Sequence, residues 1–120
     1  MAQRTPHVTE QDAWRVLERD YGQHDVTQLR AAISNLDVRE KWRVVLACLK
    51  SAGGSIDALR GNLESAGGYW RELISEAEYP RATKIWGRID RLSPTEQEEV
   101  FEADWRQYDA WLHRKRSAER

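Results

Sequence analysis

Arg81, Lys84, Arg88 and Arg91 are spaced by three, four and three residues, a pattern that sets four cations on one face of a helix. A stripe of that kind has the chemistry to grip phosphates or an acidic partner. It also has an internal explanation: the acidic block Glu96, Glu98, Glu99 and Glu102 follows closely and, with Asp90, would neutralise the stripe if the chain folded back. Other reactive side chains are sparse. His7, His24 and His113 lack a second ligand at a repeating metal-ligand spacing. Cys48 is the only cysteine, which excludes an intrachain disulfide and a CxxC site. It lies among Val44, Val45, Leu49 and Ala52, where burial leaves a thiol inert. The sequence therefore supplies no catalytic, cofactor-binding or metal-ligating set, and no cofactor is expected.

Two further groups of residues bear on function. Glu76, Glu78, Tyr79 and Arg81 gather at Pro80 and form the most polar junction in the middle of the chain. They would suit an enzyme pocket, although caps and ion pairs around a kink explain them as well. The second group is aromatic. Six Trp in 120 residues exceed what a small core swallows whole. Trp86, Trp105 and Trp111 fall in the C-terminal third, and partly exposed aromatics are the usual anchors of protein interfaces. Arg81, Lys84, Arg88, Arg91, Trp86, Trp105 and Trp111 together make the candidate interaction surface.

The elements that must position these residues are helical. Thr9 with Asp12 caps a helix that Gly22 ends, and Asp25 with Gln28 opens a second. The longest apolar-rich segment, Asp37–Gly53, has Asp37 and Glu40 in capping-box positions and a wide stripe through Val38, Trp42, Val45 and Leu49. Gly53-Gly54 and Gly67-Gly68 mark breaks on either side of a fourth helix capped by Ser55. A fifth runs over Tyr69–Glu78, and Pro80 forces Tyr79 out of helical geometry. A sixth spans Arg81–Leu92, weakened by Gly87. Ser93-Pro94-Thr95-Glu96 starts a last helix running to about Arg114. No stretch alternates with period two, so the fold class is all-α, with six to seven antiparallel helices. Residues 1–8 read as a disordered lead-in, 9–115 as one helical domain and 116–120 as a frayed tail.

Trp14, Trp42 and Trp70 stand 28 residues apart, and each is followed by Arg. That spacing raises the expectation of three tandem helical hairpins plus a long C-terminal helix. The Gly-Gly-Ser run after the central helix also has features of a helix-turn-helix, with Leu63, Trp70 and Ile74 at its apolar positions. Glu64 stands where its turn normally has Gly, and Arg60 where it wants a small residue.

From Arg43 to Arg81 the chain resembles a family of small uncharacterised bacterial all-helical proteins. The residues that carry this are Arg43-Val44, Leu46-Ala47-Cys48-Leu49-Lys50, Gly53-Gly54, Leu59-Arg60, Tyr69, Arg71 and Ala77-Glu78-Tyr79-Pro80. The resemblance spans about a third of the chain, departs at Gly67-Gly68, and implies a bacterial helical protein without implying an activity.

Composition bounds the rest. With 40% hydrophobic and 32% charged residues, the chain describes an ordinary soluble globular protein. The run Val44–Leu49 is far too short for a bilayer span, and a formal net charge of −1 gives no global pull toward nucleic acid or anionic lipid. The expectation is a small cytoplasmic protein, with no membrane association, that acts by binding another protein or a second copy of itself. Nucleic-acid binding through the basic stripe or the helix-turn-helix is the alternative.

Overall fold

Thr9 opens the fold as its side chain predicts. In the computed structural model, which describes residues 5–115, the Thr9 hydroxyl accepts from the Asp12 N–H. The Asp12 carboxylate in turn accepts from the Thr9 N–H, which closes the capping box of α1 (Glu10–Tyr21). Ser93 and Glu96 make the same reciprocal pair before α6 (Pro94–Leu112), with Pro94 at its first position. Ser55 caps α4 (Ile56–Glu78) through the Ala58 N–H. Asp25 accepts from the Thr27 N–H instead, an Asx turn that leaves Val26 as the cap of α2 (Thr27–Asn35). The described residues form six α-helices and one 3-10 segment with no strand, so the fold is all-α. None of these helices is long and apolar enough to cross a membrane.

The central helix, α3 (Lys41–Ala52), is the axis of the core. Every residue from Val44 to Leu49 is buried, which its wide apolar arc requires. It begins later than the Asp37–Glu40 box predicts. Leu36 and Val38 both pack against the core while Asp37 and Arg39 stay exposed, and that alternation holds Leu36 extended at ψ 128°. Glu40 then turns the chain into the helix from a left-handed conformation (φ 52°), so burial of two apolar side chains overrides a local cap. At the other end Gly53 (φ 59°) and Gly54 (φ 90°) make a tight reversal into α4 that a side chain would strain. Tyr21 locks this turn from α1. Its hydroxyl donates to the Leu49 carbonyl at 2.8 Å and accepts from the Gly54 N–H at 3.1 Å, and burial pushes its pKa up to about 12.

The break expected at Gly67-Gly68 falls one residue later: Tyr69 (φ −122°, ψ 24°) leaves helical geometry and kinks α4 into two helical halves. Leu63 and Ala66 before the pair, and Leu73 and Ile74 after it, are buried in the same core. Their packing offsets the roughly 1 kcal/mol that each Gly costs relative to Ala. Glu64 therefore lies inside a helix, and the two helices of a helix-turn-helix are not formed. The three Trp spaced by 28 residues each stand on a different helical stretch of the fold. The Trp14 and Trp42 rings meet edge to face, with centroids 6.0 Å apart, whereas Trp70 lies beside Asp37, Val38 and Arg39 with Arg71 over its ring.

The helix expected over Arg81–Leu92 divides in two. Pro80 opens α5 (Pro80–Lys84), after Tyr79 leaves the helical region as its position before proline requires. Ile85 (φ −114°, ψ 17°) then passes the chain into a 3-10 segment, Trp86–Arg91. That segment buries none of its residues, so no packing offsets the weakness of Gly87. At the N-terminus Pro6 is buried and Val8 packs on the core, so residues 5–8 of the expected lead-in belong to the domain. Residues 1–4 of that lead-in, and the expected tail 116–120, lie outside the described residues.

Candidate functional site

The polar junction at Pro80 proves to be structural at its centre. Glu78 is only 2% exposed, and both its oxygens are held by Arg43, from Nε at 3.0 Å and from Nη2 at 2.8 Å. This bidentate pair joins α3 to the end of α4 and occupies the carboxylate that an acid or base would need free. The Tyr108 hydroxyl is buried with no hydrogen-bond partner among the described residues, and burial followed by the charge of Glu78 raises its pKa. Glu76 and Arg81 are exposed, and Tyr79 is half-buried.

A second buried carboxylate, which the sequence reading passed over, positions the basic segment. Asp104 on α6 is fully buried, and its two oxygens accept from the backbone N–H groups of Arg81 (2.9 Å) and Ala82 (3.0 Å). Those are orphan donors of the first turn of α5, so a side chain from α6 does the work of an N-cap. Gln107 donates to the Ala77 carbonyl at 3.1 Å, and the Thr83 hydroxyl donates to the Ser75 carbonyl at 3.2 Å. The start of α5 is thus fixed to both α4 and α6, while the segment beyond it stays open.

On that mount the four cations stand in solvent. Arg81 and Lys84 lie on α5, Arg88 and Arg91 on the 3-10 segment, so the stripe runs over two short helices and not one continuous face. In a 3-10 helix residues three apart eclipse, which keeps Arg88 and Arg91 on one side. None of the four has an ion-pair partner among the described residues. The acidic start of α6 does not neutralise them; Glu96 closes its own capping box and Glu102 accepts from Arg106. Most other cations are engaged. Arg15, Arg19, Arg43, Arg60, Arg106 and Arg114 hold carboxylates, and Arg30, Lys41 and Arg71 lie over Trp rings.

Trp86 is the aromatic of this segment, 58% exposed, and the other five Trp are half-buried. It forms one wall of a groove of about 410 Å³ with Ser75, Tyr79, Ala82 and Thr83. Trp105 is half-buried on α6. Trp111 packs against Tyr108 (centroids 5.5 Å apart) and beneath the Arg19 guanidinium, away from that groove. Of the three aromatics expected to share a surface, Trp86 lies on the basic segment itself, and Trp111 packs at the other end of α6.

Cys48 lies in the core, where burial pushes its thiol up to about 12. Because the folded pKa is raised above the unfolded value of about 8.5, the neutral thiol favours folding fully below that value. The contribution is lost as pH climbs toward 12. Labelling of native protein with a thiol reagent at about pH 8 is expected to proceed no faster than unfolding exposes the residue. Immediate stoichiometric labelling would contradict this burial.

What the fold and site define is an all-α domain carrying an exposed basic segment, anchored at its start by Asp104 and bearing one exposed Trp. No family model, curated protein or solved structure matches the chain.

Proposed function

We propose that this is a cytoplasmic protein-binding module that captures an acidic segment of a partner protein on Pro80–Arg91, with Trp86 as the apolar anchor. One observation carries the reading: four exposed cations without carboxylate partners flank the one exposed Trp along Pro80–Arg91, in a chain whose other cations are mostly engaged. Charge complementarity selects acidic partners and speeds their encounter, and an aromatic seated in a groove supplies the affinity. The groove beside Trp86 accepts one or two apolar side chains, so the fitting partner is an acidic segment with an isolated large apolar residue. The lone cysteine, kept as a buried thiol, suits a reducing compartment.

Titration of ¹⁵N-labelled protein with a Glu- and Asp-rich peptide bearing one Leu is the test, across a salt series. Shifts are expected to be confined to residues 75–91, and binding should weaken as salt rises. Trp86→Ala and Arg88→Glu should each reduce affinity about tenfold. The same cations fit phosphates, so duplex and single-stranded DNA form the comparison arm, and light scattering covers self-association through the acidic start of α6. Tighter binding of DNA than of peptide would replace this reading with the nucleic-acid one. No binding of the peptide at low salt would end it.

A further inference from the structure

We propose that the cleft where the C-terminal ends of α1, α3 and α6 meet binds a small oxyanion, a phosphate or carboxylate carried on a compact organic body. The cleft measures about 450 Å³ and is lined by Arg19, His24, Lys50, Trp111 and Arg114, among others. It shares no lining residue with the Trp86 groove.

Two of its cations are already committed. Arg19 donates to Asp20 from Nε and Nη2 (2.8 and 2.9 Å). Its Nη1 donates to the carbonyls of Trp111 (2.8 Å), Leu112 (3.1 Å) and Arg114 (2.9 Å). These bonds close the end of α6 and hold Trp111 beneath the guanidinium, 5.4 Å from the ring centre. Asp20 also accepts from Arg114 at 2.8 Å. Burial pushes the Asp20 carboxyl up, but the bonds and charges of Arg19 and Arg114 outweigh it, and the pKa ends below the usual range. The single carboxylate of the cleft is thus ionised and doubly paired.

Lys50 is not committed. The residue is half-buried and has no hydrogen bond or ion pair among the described residues. Burial lowers its pKa, against an opposing pull from Asp104. The ordinary reason for a Lys in the last turn of a helix is to serve the final carbonyls. Here they are largely served by others: Cys48 by Asn62, Leu49 by the Tyr21 hydroxyl, Lys50 by the Gly53 N–H and Ala52 by the Ser55 N–H. That leaves an ammonium with three donors facing a cleft in which cations outnumber carboxylates. An oxyanion placed there offsets the cost of holding the charge out of water, and Arg114, half-exposed and lining the same cleft, has further N–H groups to offer. The volume exceeds that of an inorganic anion, and Trp111 with Leu49 offers an apolar wall for the rest of the molecule.

Inorganic phosphate, phenyl phosphate and benzoate serve as probes, read by ¹H–¹⁵N spectra at Gly53, Gly54 and the Trp111 indole. Saturable shifts at these three positions are expected for at least one probe, with the aromatic probes tighter than phosphate alone. Preference between phenyl phosphate and benzoate identifies which oxyanion the site takes. Lys50→Gln should weaken binding about tenfold, and Lys50→Arg should restore most of it. Neither substitution removes a contact the fold uses, so both variants should melt as the parent does. Absence of saturable shifts with all three probes, or equal affinity in Lys50→Gln, overturns the proposal.

Discussion

Arg43→Met is expected to destabilise the domain by about 3–5 kcal/mol, the cost of leaving a buried carboxylate without its partner. Glu78 is nearly inaccessible, and Arg43 gives each of its oxygens a charged donor, while the Tyr79 side chain also hydrogen-bonds the carboxylate. Met matches the aliphatic stem of Arg and preserves packing, so the loss reports on the charge alone. Against a total stability of about 5–15 kcal/mol, such a loss leaves the variant close to unfolding near body temperature. Urea denaturation followed by circular dichroism measures it. The pair, taken as a whole, is worth far less than either half. The double variant Arg43→Met, Glu78→Met removes both charges from a site flanked by Ala77 and Tyr108, and is expected to regain most of the stability. A single variant within about 1 kcal/mol of the parent would mean that Glu78 finds water or a proton when Arg43 is gone.

The Arg43–Glu78 pair also shows what a sequence conceals. Its members are 35 residues apart and meet only because α4 crosses back along α3 and bends at Tyr69. The signal within reach was register. Glu78 follows Ile74 by four positions and Ala77 by one, inside a buried stripe. Asp104 stands three after Phe101 and four before Tyr108, also in a buried stripe. A carboxylate in step with apolar neighbours is a buried carboxylate, and buried carboxylates have donors waiting. Glu78 stands out at the Pro80 junction, but reading Asp and Glu as exposed by default passes over Asp104. What was legible is chemistry completed within a few residues: the Thr9–Asp12 and Ser93–Glu96 boxes, the Ser55 cap, the Pro80 break and the buried face of α3. Local signals failed where tertiary burial outbid them. Leu36 and Val38 displaced the cap at Asp37, and packing on the core moved the break expected at Gly67-Gly68 to a kink at Tyr69. For the basic stripe, spacing alone located the cations, whereas their freedom from the acidic helix that follows is a property of the folded chain.

Asp104→Ala is expected to cost about 3 kcal/mol, combining the loss of a helix cap with two backbone donors stranded where little water reaches. The larger consequence falls on the segment that Asp104 mounts. α5 has five residues and buries only Ala82, too little to hold a helix by its own propensity. Without acceptors for the Arg81 and Ala82 N–H groups, its first turn loses the anchor to α6. Those two amides should lose protection in hydrogen exchange, while Val44–Leu49 amides should lose only what the fall in global stability dictates. Affinity for an acidic peptide should drop in parallel, because Trp86 and the four cations must then be ordered at the moment of binding. Asp104→Asn keeps one acceptor oxygen and should fall between the parent and Asp104→Ala on all three measures. Exchange at Arg81 and Ala82 that matches the parent's in Asp104→Ala would show the segment to be held by the Thr83–Ser75 bond instead.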